Sequence, residues 1–234
     1  MAKDQSKRYT QAQKVADPAK RYGVQEAVAL LQQMPAARFD ETIELAFHLG
    51  VDPKQSDQMV RGTVNLPHGS GKKVRVLVFT ETPEAALAAG ADAAGLEDLL
   101  LRIEGGWLDF DVAVATSSAM KEVRRVARIL GPRGLMPNPR SGTVVESEKV
   151  AQAIADVKAG RVEFKMDKTA NMAVVVGKRS FDAEKLVANI QAALAAVKQC
   201  RPSGFRGSGY VASAALCATM SPSLRLEGAL YAAF

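Results

Sequence analysis

The period of the apolar residues changes twice along this chain, and the second change undoes the first. Thr42–Leu49 alternates strictly. Ile43, Leu45, Phe47 and Leu49 point one way and Thr42, Glu44, Ala46 and His48 the other, which is the pattern of a half-buried strand. Beyond the breaker cluster at residues 66–71 the pattern becomes strand–helix–strand. Strands are expected at 74–79 and 110–115, a short strand or connector at 91–95, and helices at 83–89, 96–105, 118–130 and 146–158. Near-continuous apolar strands alternating with helices indicate a parallel sheet covered on both faces. After Gly160, a helix-ending glycine, short alternating strands return at 161–166, 171–176 and 210–219. A long amphipathic helix lies among them at 181–199, with Ser180 or Asp182 as its N-cap.

A pattern that stops and resumes describes a domain built from both parts of the chain. Residues 1–67 and 160–234 form one discontinuous α/β domain, with 68–159 inserted through two close-set linkers. Within the first part, residues 1–21 read as a loosely held helix or arm and 22–34 as a helix ended by Pro35. Strand 42–49 is expected to pair antiparallel with a second strand at 58–66.

Charge follows the same division. The 234 residues carry 31 Lys and Arg against 25 Asp and Glu, a net charge of +6. Residues 68–159 hold 12 of each sign, residues 1–67 hold 9 basic and 8 acidic, and residues 160–234 hold 10 and 5. The excess therefore belongs to the discontinuous domain, which fits either a polyanion partner or a solvated basic face. The insert has its own imbalance: Lys121, Arg124, Arg125, Arg128, Arg133 and Arg140 stand against Glu122 alone between 121 and 140. No apolar run approaches a membrane span, and the polar N-terminus has no signal-peptide centre. Two cysteines outside any CxxC pair suit a reducing compartment, so a soluble intracellular protein without membrane contact is expected.

Catalytic readings fail on inventory. Pro67-His68-Gly69-Ser70-Gly71-Lys72 resembles the end of a phosphate-binding loop, but Leu66 and Lys73 occupy the positions that need Gly and Ser or Thr. His48 and His68, the only histidines, have no ligand-spaced partner, so neither a metal nor any other cofactor is expected. His48 reads as an exposed or interfacial residue of a strand. Asp40, Glu41 and Glu44 read as surface charge and Cys217 as a small buried residue. A nucleotide-using enzyme built on the insert is the alternative class. It is disfavoured because Thr80-Glu81-Thr82-Pro83 follows the first insert strand where a GxGxxG turn is needed. The densest signal is the loop 130–143, with three prolines and three glycines. They stiffen the backbone from which Arg133 and Arg140 project. A phosphate-binding loop and a structural closure fit it equally.

The run Gly131-Pro132-Arg133-Gly134-Leu135-Met136-Pro137-Asn138-Pro139-Arg140-Ser141-Gly142-Thr143 resembles the signature of the L-one family of large-subunit ribosomal proteins, in its bacterial form. Arg38-Phe39-Asp40-Glu41-Thr42, Leu49-Gly50-Val51-Asp52-Pro53, Asp57-Gln58-Met59-Val60-Arg61-Gly62-Thr63, Trp107-Leu108-Asp109-Phe110-Asp111 and Gly177-Lys178 match the same family in order. The likeness covers about residues 5–226.

The resemblance implies a split α/β domain carrying a Rossmann-like three-layer α/β insert on a two-strand hinge. It implies a non-enzymatic constituent of the cytoplasmic ribosome that binds large-subunit ribosomal RNA to form the mobile stalk near the tRNA exit site. Other ribosomal components, deacylated tRNA and the protein's own messenger RNA, whose translation it would repress, are the further partners implied. The RNA-binding positions carried over are Arg38, Phe39, Thr42, Lys165, Asp167, Lys168, Ser213, Thr219 and Met220, with Arg133 and Arg140 as a secondary basic loop. Arginine and lysine would meet phosphates, hydroxyls the 2′-OH and phosphate groups, and Phe39 and Met220 a sugar or base face. Asp167 would accept a bond from a 2′-OH, an amine or a neighbouring lysine, and Phe39 equally suits a core position. Ser221 stands where the family has glycine, 214–218 lacks the usual hydroxyls, 121–126 is more charged than usual, and the tail 228–234 has no counterpart. Weaker RNA affinity than is typical is the expectation, because Ser221 would hinder a positive φ or a close backbone approach.

Overall fold

The computed structural model describes residues 6–231, apart from the side chain of Arg140. The last three tail residues thus lie outside the described residues, as do the first five of the N-terminal arm. The chain divides into two compact units, Met1–Gly71 with Val162–Phe234 and Lys72–Arg161, against expected junctions at 67/68 and 159/160. Residues 66–69 stay with the split unit because a fully buried Asn189 binds them. Its side-chain carbonyl accepts the His68 N–H at 3.1 Å, and its amide donates to the carbonyls of Gly69 at 3.0 Å and Val176 at 2.8 Å.

The first part of the split unit holds helices α1 (Lys7–Val15) and α2 (Val24–Gln33) and strands β1 (Thr42–Leu49) and β2 (Arg61–Asn65). Ser6 caps α1 by accepting the Tyr9 N–H. Met34 ends α2 in an extended conformation at ψ 150°, as a residue before proline must.

Next comes the insert. Its strands β3 (Val76–Phe79), β4 (Ala93–Gly95), β5 (Val112–Thr116) and β6 (Val144–Val145) form a parallel sheet in the order β4-β3-β5-β6. Helices α3 (Pro83–Ala88) and α7 (Val150–Ala159) pack on one face, over Val76, Val78 and Val114. On the other face α4 (Glu97–Glu104), α5 (Met120–Val123) and α6 (Ala127–Leu130) cover Leu77, Phe79 and Ala115. Residues 118–130, expected as one helix, are two short α segments joined by a 3₁₀ turn at Arg124–Val126. Where a glycine-rich turn would stand, the Thr80 hydroxyl instead accepts the Thr82 N–H at 3.2 Å.

The chain then returns through β7 (Arg161–Lys165), β8 (Asn171–Lys178), α8 (Ala183–Gln199), β9 (Val211–Ala218) and β10 (Leu224–Arg225). Asp182 takes the N-cap position of α8 but makes no side-chain cap bond, pairing instead with Lys185 at 2.7 Å. The main sheet runs β10-β9-β1-β8, with β1 antiparallel to both β8 and β9. The expected pairing of β1 with the second strand is therefore wrong: β2 pairs with β7 in a separate two-stranded sheet. Alternation specifies which face of β1 is buried but not which strand lies beside it, and both its edges are taken by strands more than 120 residues later. One face of the main sheet is closed by α2 and α8, where Leu31, Leu186, Ile190 and Val197 pack on Leu45, Phe47, Val174, Val176 and Leu216. The other face is open.

Candidate nucleic-acid interface

Along the open face β1 presents Thr42, Glu44, Ala46 and His48. Register places Val175 and Ala173 of β8, and Cys217 and Ala215 of β9, beside its middle. The floor is thus mostly small side chains, and functional groups gather at its two ends. At about 3.3 Å per residue, Thr42 and His48 lie about 20 Å apart.

At the His48 end, Ala46, His48, Lys165, Asp167, Asn171, Ala173, Ser213 and Ala215 surround a concavity of about 490 Å³. Cross-strand register sets His48 between Asn171 and Ser213, and the His48 ring nitrogen Nδ1 bonds the Asn171 amide oxygen at 2.9 Å. Neither His48 nor Asn171 is among the RNA-binding positions the resemblance implies, and only the strand register reveals their pairing. Asp167 is exposed, and its carboxylate is already engaged by its own chain. Oδ1 accepts the Thr169 and Asn171 N–H groups, each at 2.8 Å, and the Thr169 hydroxyl lies 2.8 and 2.9 Å from its two oxygens. The Asn171 N–H, followed by the Thr169 donors, holds the Asp167 carboxyl below the ordinary aspartate range. Asp167 therefore builds the turn that displays Lys168. Ala170 closes that turn at φ 61°, the one non-glycine residue with positive φ among the described residues.

The opposite end is assembled by bonds between distant segments. The Thr219 N–H donates to the Thr42 carbonyl at 3.0 Å, and the Thr219 hydroxyl accepts the Thr42 N–H at 3.1 Å. Lys178 Nζ donates to the Thr42 hydroxyl at 2.8 Å. Beneath lies Glu41, which is fully buried and not the surface charge expected. Its carboxylate accepts Arg179 Nη1 at 2.8 Å, the Ala37 N–H at 3.3 Å and the Met220 N–H at 3.1 Å. Arg8 Nη2 donates to the Met220 carbonyl at 2.7 Å. Met220 is thereby gripped by its backbone while its side chain stays 50% exposed, and Phe39 is 54% exposed, which removes it from the core. Ser221 has no positive φ; its hydroxyl accepts the Ala218 N–H at 2.9 Å, so the backbone-conformation objection to serine falls away. Cys217 is only partly buried, not a core residue; burial, then Glu44, pushes its thiol pKa up.

The residues carried over thus separate by what they are free to do. Arg38, Lys165 and Lys168 are exposed without an ion pair, and the Ser213 hydroxyl makes no hydrogen bond among the described residues. Thr42, Thr219, Asp167 and the Met220 backbone are engaged internally. Arg133 is exposed in the insert, and Arg140 falls in the 3₁₀ turn Pro139–Ser141 with its side chain outside the described residues.

Unpaired cations and a free hydroxyl around a wide, shallow floor are attributes of a binding surface. No group of three or more His, Cys, Asp or Glu able to hold a metal accompanies them among the described residues. No helix there is long and apolar enough to cross a membrane. Known sequences identify the family: the ribosomal protein L1p/L10e family matches residues 30–222, and the chain belongs to it. The protein called large ribosomal subunit protein uL1 in Kosmotoga olearia is 50% identical over 224 residues, covering 95% of this chain and 96% of the relative. The protein of that name in Saccharopolyspora erythraea is 50% identical, covering 97% and 94%, and the one in Bifidobacterium longum is 46% identical, covering 95% and 96%. The chain is a ribosomal protein of a non-enzymatic family.

Proposed function

We propose that the open sheet face of the split unit binds a structured segment of large-subunit ribosomal RNA, making the protein a constituent of the large subunit in the cytoplasmic ribosome. The RNA backbone runs along the open face of β1. Arg38, Lys165 and Lys168 meet phosphates, Ser213 bonds a 2′-OH, and Phe39 and Met220 pack on sugar or base surfaces. The observation supporting this reading is one small-residue floor with the unpaired Lys165 and the free Ser213 hydroxyl at its His48 end, Lys168 on the adjoining turn, and the exposed Met220 side chain at its Thr42 end. The bound RNA forms the mobile stalk beside the tRNA exit site and assists release of deacylated tRNA. The same face holds a similar structure in the protein's own message and represses its translation. Arg133 and Arg140 form a secondary basic loop toward other ribosomal components.

A titration of the full chain with a ribosomal stem-loop, across salt concentrations, tests this. Lys165→Ala and Lys168→Ala are each expected to flatten the log K against log salt slope by about 0.7–0.9, one lost phosphate contact each. Thr219→Ala is expected to lower affinity by about 0.5–1.5 kcal/mol through the lost, solvent-exposed bond to Thr42, with the slope unchanged. Unchanged slopes in both lysine variants would remove this end of the sheet from the RNA surface. Crosslinking in purified ribosomes would identify the bound RNA helix, and crosslinks absent from the split unit would overturn the proposal.

A further inference from the structure

Half of the insert's basic residues stand in one short stretch: six of the twelve in 68–159 fall between 121 and 140, with one of its twelve acidic residues. Elsewhere in the unit Lys72–Arg161 pairing is commoner, though Lys73 and Arg102 also lack an ion pair among the described residues. Lys72 and Arg75 pair with Asp111, Arg75 also with Asp109, Lys149 with Glu146, and Lys158 with Asp92. In the segment α5–α6, Lys121, Arg124, Arg125 and Arg128 recur at the spacing i, i+3, i+4, i+7, which an unbroken α-helix gathers on one face; the 3₁₀ turn at Arg124–Val126 interrupts that helix without burying any of the four. All four are exposed, while Val123, Val126 and Leu130 on the opposite side are buried in the insert core. Glu122 reaches Arg125 at 3.3 Å. Lys121, Arg124 and Arg128 have no ion pair among the described residues.

We infer that this stripe is a second RNA-binding surface, carried by the insert alone and taking the sugar-phosphate backbone of an RNA duplex. The inference is independent of the reading of the sheet face. A solvated helix face usually mixes charge signs, because like charges at i, i+4 repel. Here Glu122 offsets only the charge of Arg125, and the repulsion among Lys121, Arg124 and Arg128 stays uncompensated until a polyanion arrives. The stripe spans about 10 Å at 1.5 Å per residue. Over that length one strand of a B-form duplex, taken as a guide for RNA, presents about three phosphates, at one per 3.4 Å. The face carries no exposed large apolar residue, so neither base stacking nor a hydrophobic protein partner has a foothold. Recognition is of charge and spacing, without sequence preference.

The test uses the full chain and a generic 20-base-pair RNA duplex, followed by fluorescence anisotropy across salt concentrations. Lys121→Gln/Arg124→Gln/Arg128→Gln keeps good helix formers at the three sites. Lys73→Gln/Lys149→Gln/Lys158→Gln removes the same charge elsewhere in the insert, and thermal melts confirm that both variants fold. The stripe variant is expected to lower the salt slope by about 2–3, so that the loss of affinity between 50 and 200 mM salt shrinks by about 20- to 60-fold. The matched control is expected to lose less than about one unit of slope. Equal losses in the two variants would reduce the effect to net charge and overturn the inference. So would an unchanged slope in the stripe variant, or stripe-dependent binding of polyglutamate without stripe-dependent binding of the duplex.

Discussion

Replacing Glu41 by alanine removes three acceptor contacts at once, to Arg179, the Ala37 N–H and the Met220 N–H. It also strands a guanidinium whose side chain is only 11% exposed. Arg179 keeps the carbonyls of Gln32, at 3.3 Å, and Met34 as partners, but neither carries a compensating charge. Breaking a buried pair from one side costs about 3–5 kcal/mol, because the remaining charge stays desolvated. With a urea m-value near 2 kcal/mol per molar, that moves the unfolding midpoint of the split unit down by about 1.5–2.5 M. Arg179→Ala is expected to cost a similar amount by leaving the carboxylate unpaired. The double variant is expected to fall short of the summed singles by roughly 2–3 kcal/mol, since removing the second partner relieves the stranded charge. Circular dichroism reads the helices of both units. Trp107, the chain's single tryptophan, lies in the Lys72–Arg161 unit and reports that unit by fluorescence. The expected result is a shifted dichroism transition with the Trp107 transition in place. A midpoint in Glu41→Ala within about 0.3 M of the parent, or strict additivity in the double variant, would refute the account of Glu41 as the buried anchor of the Met220 segment.

The Asp167 turn carries a pH signature. Its folded pKa lies below the unfolded one, so its contribution is complete above the ordinary aspartate value of about 3.9 and fades as pH falls through the lower folded value. The Asn171 amide, observed by NMR, is expected to titrate with a midpoint below that value and to lose the titration in Asp167→Asn. Ser221→Gly removes the hydroxyl that accepts the Ala218 N–H and is expected to lower stability by about 0.5–1.5 kcal/mol in the same urea titration. An unchanged midpoint would show that water replaces the hydroxyl at no cost.

Much of the scaffold is legible because periodicity is a local property. The alternation in Thr42–Leu49 identifies the buried face of β1 residue for residue: Ile43, Leu45, Phe47 and Leu49 are all buried. Likewise Gly160, read as a helix stop, ends α7 at φ 112°. Pairing is not local. The partners of β1 begin at Asn171 and Val211, and β2, the nearer strand, goes elsewhere. Buried polar groups hide for the same reason. Glu41 sits beside Asp40 and Glu44 in a stretch that looks solvated, and its burial depends on Arg179, 138 residues later. Asp167 is the contrary case. Its bonds to Thr169 and Asn171 are two and four residues away, so the turn is legible from the Asp-x-Thr spacing, beside the ligand contact that the resemblance implies.

The Asp167 turn points to how the face is built. A group that bonds its own chain and a group that bonds a partner look alike in a motif, since both are polar and both are required. The bonds separate them. Thr42, Thr219, Glu41, Asp167 and Arg179 spend their bonding capacity on joining β1, β8, β9 and the two flanking segments. Arg38, Lys165, Lys168 and Ser213 have theirs unspent. The first set fixes the geometry and therefore lowers the ordering entropy lost on binding. The second supplies the contacts, and only its cations exchange counterions with the partner. Loss of a positioning residue therefore weakens binding equally at every salt concentration. Loss of a presenting lysine weakens it most at low salt, where counterion release contributes most.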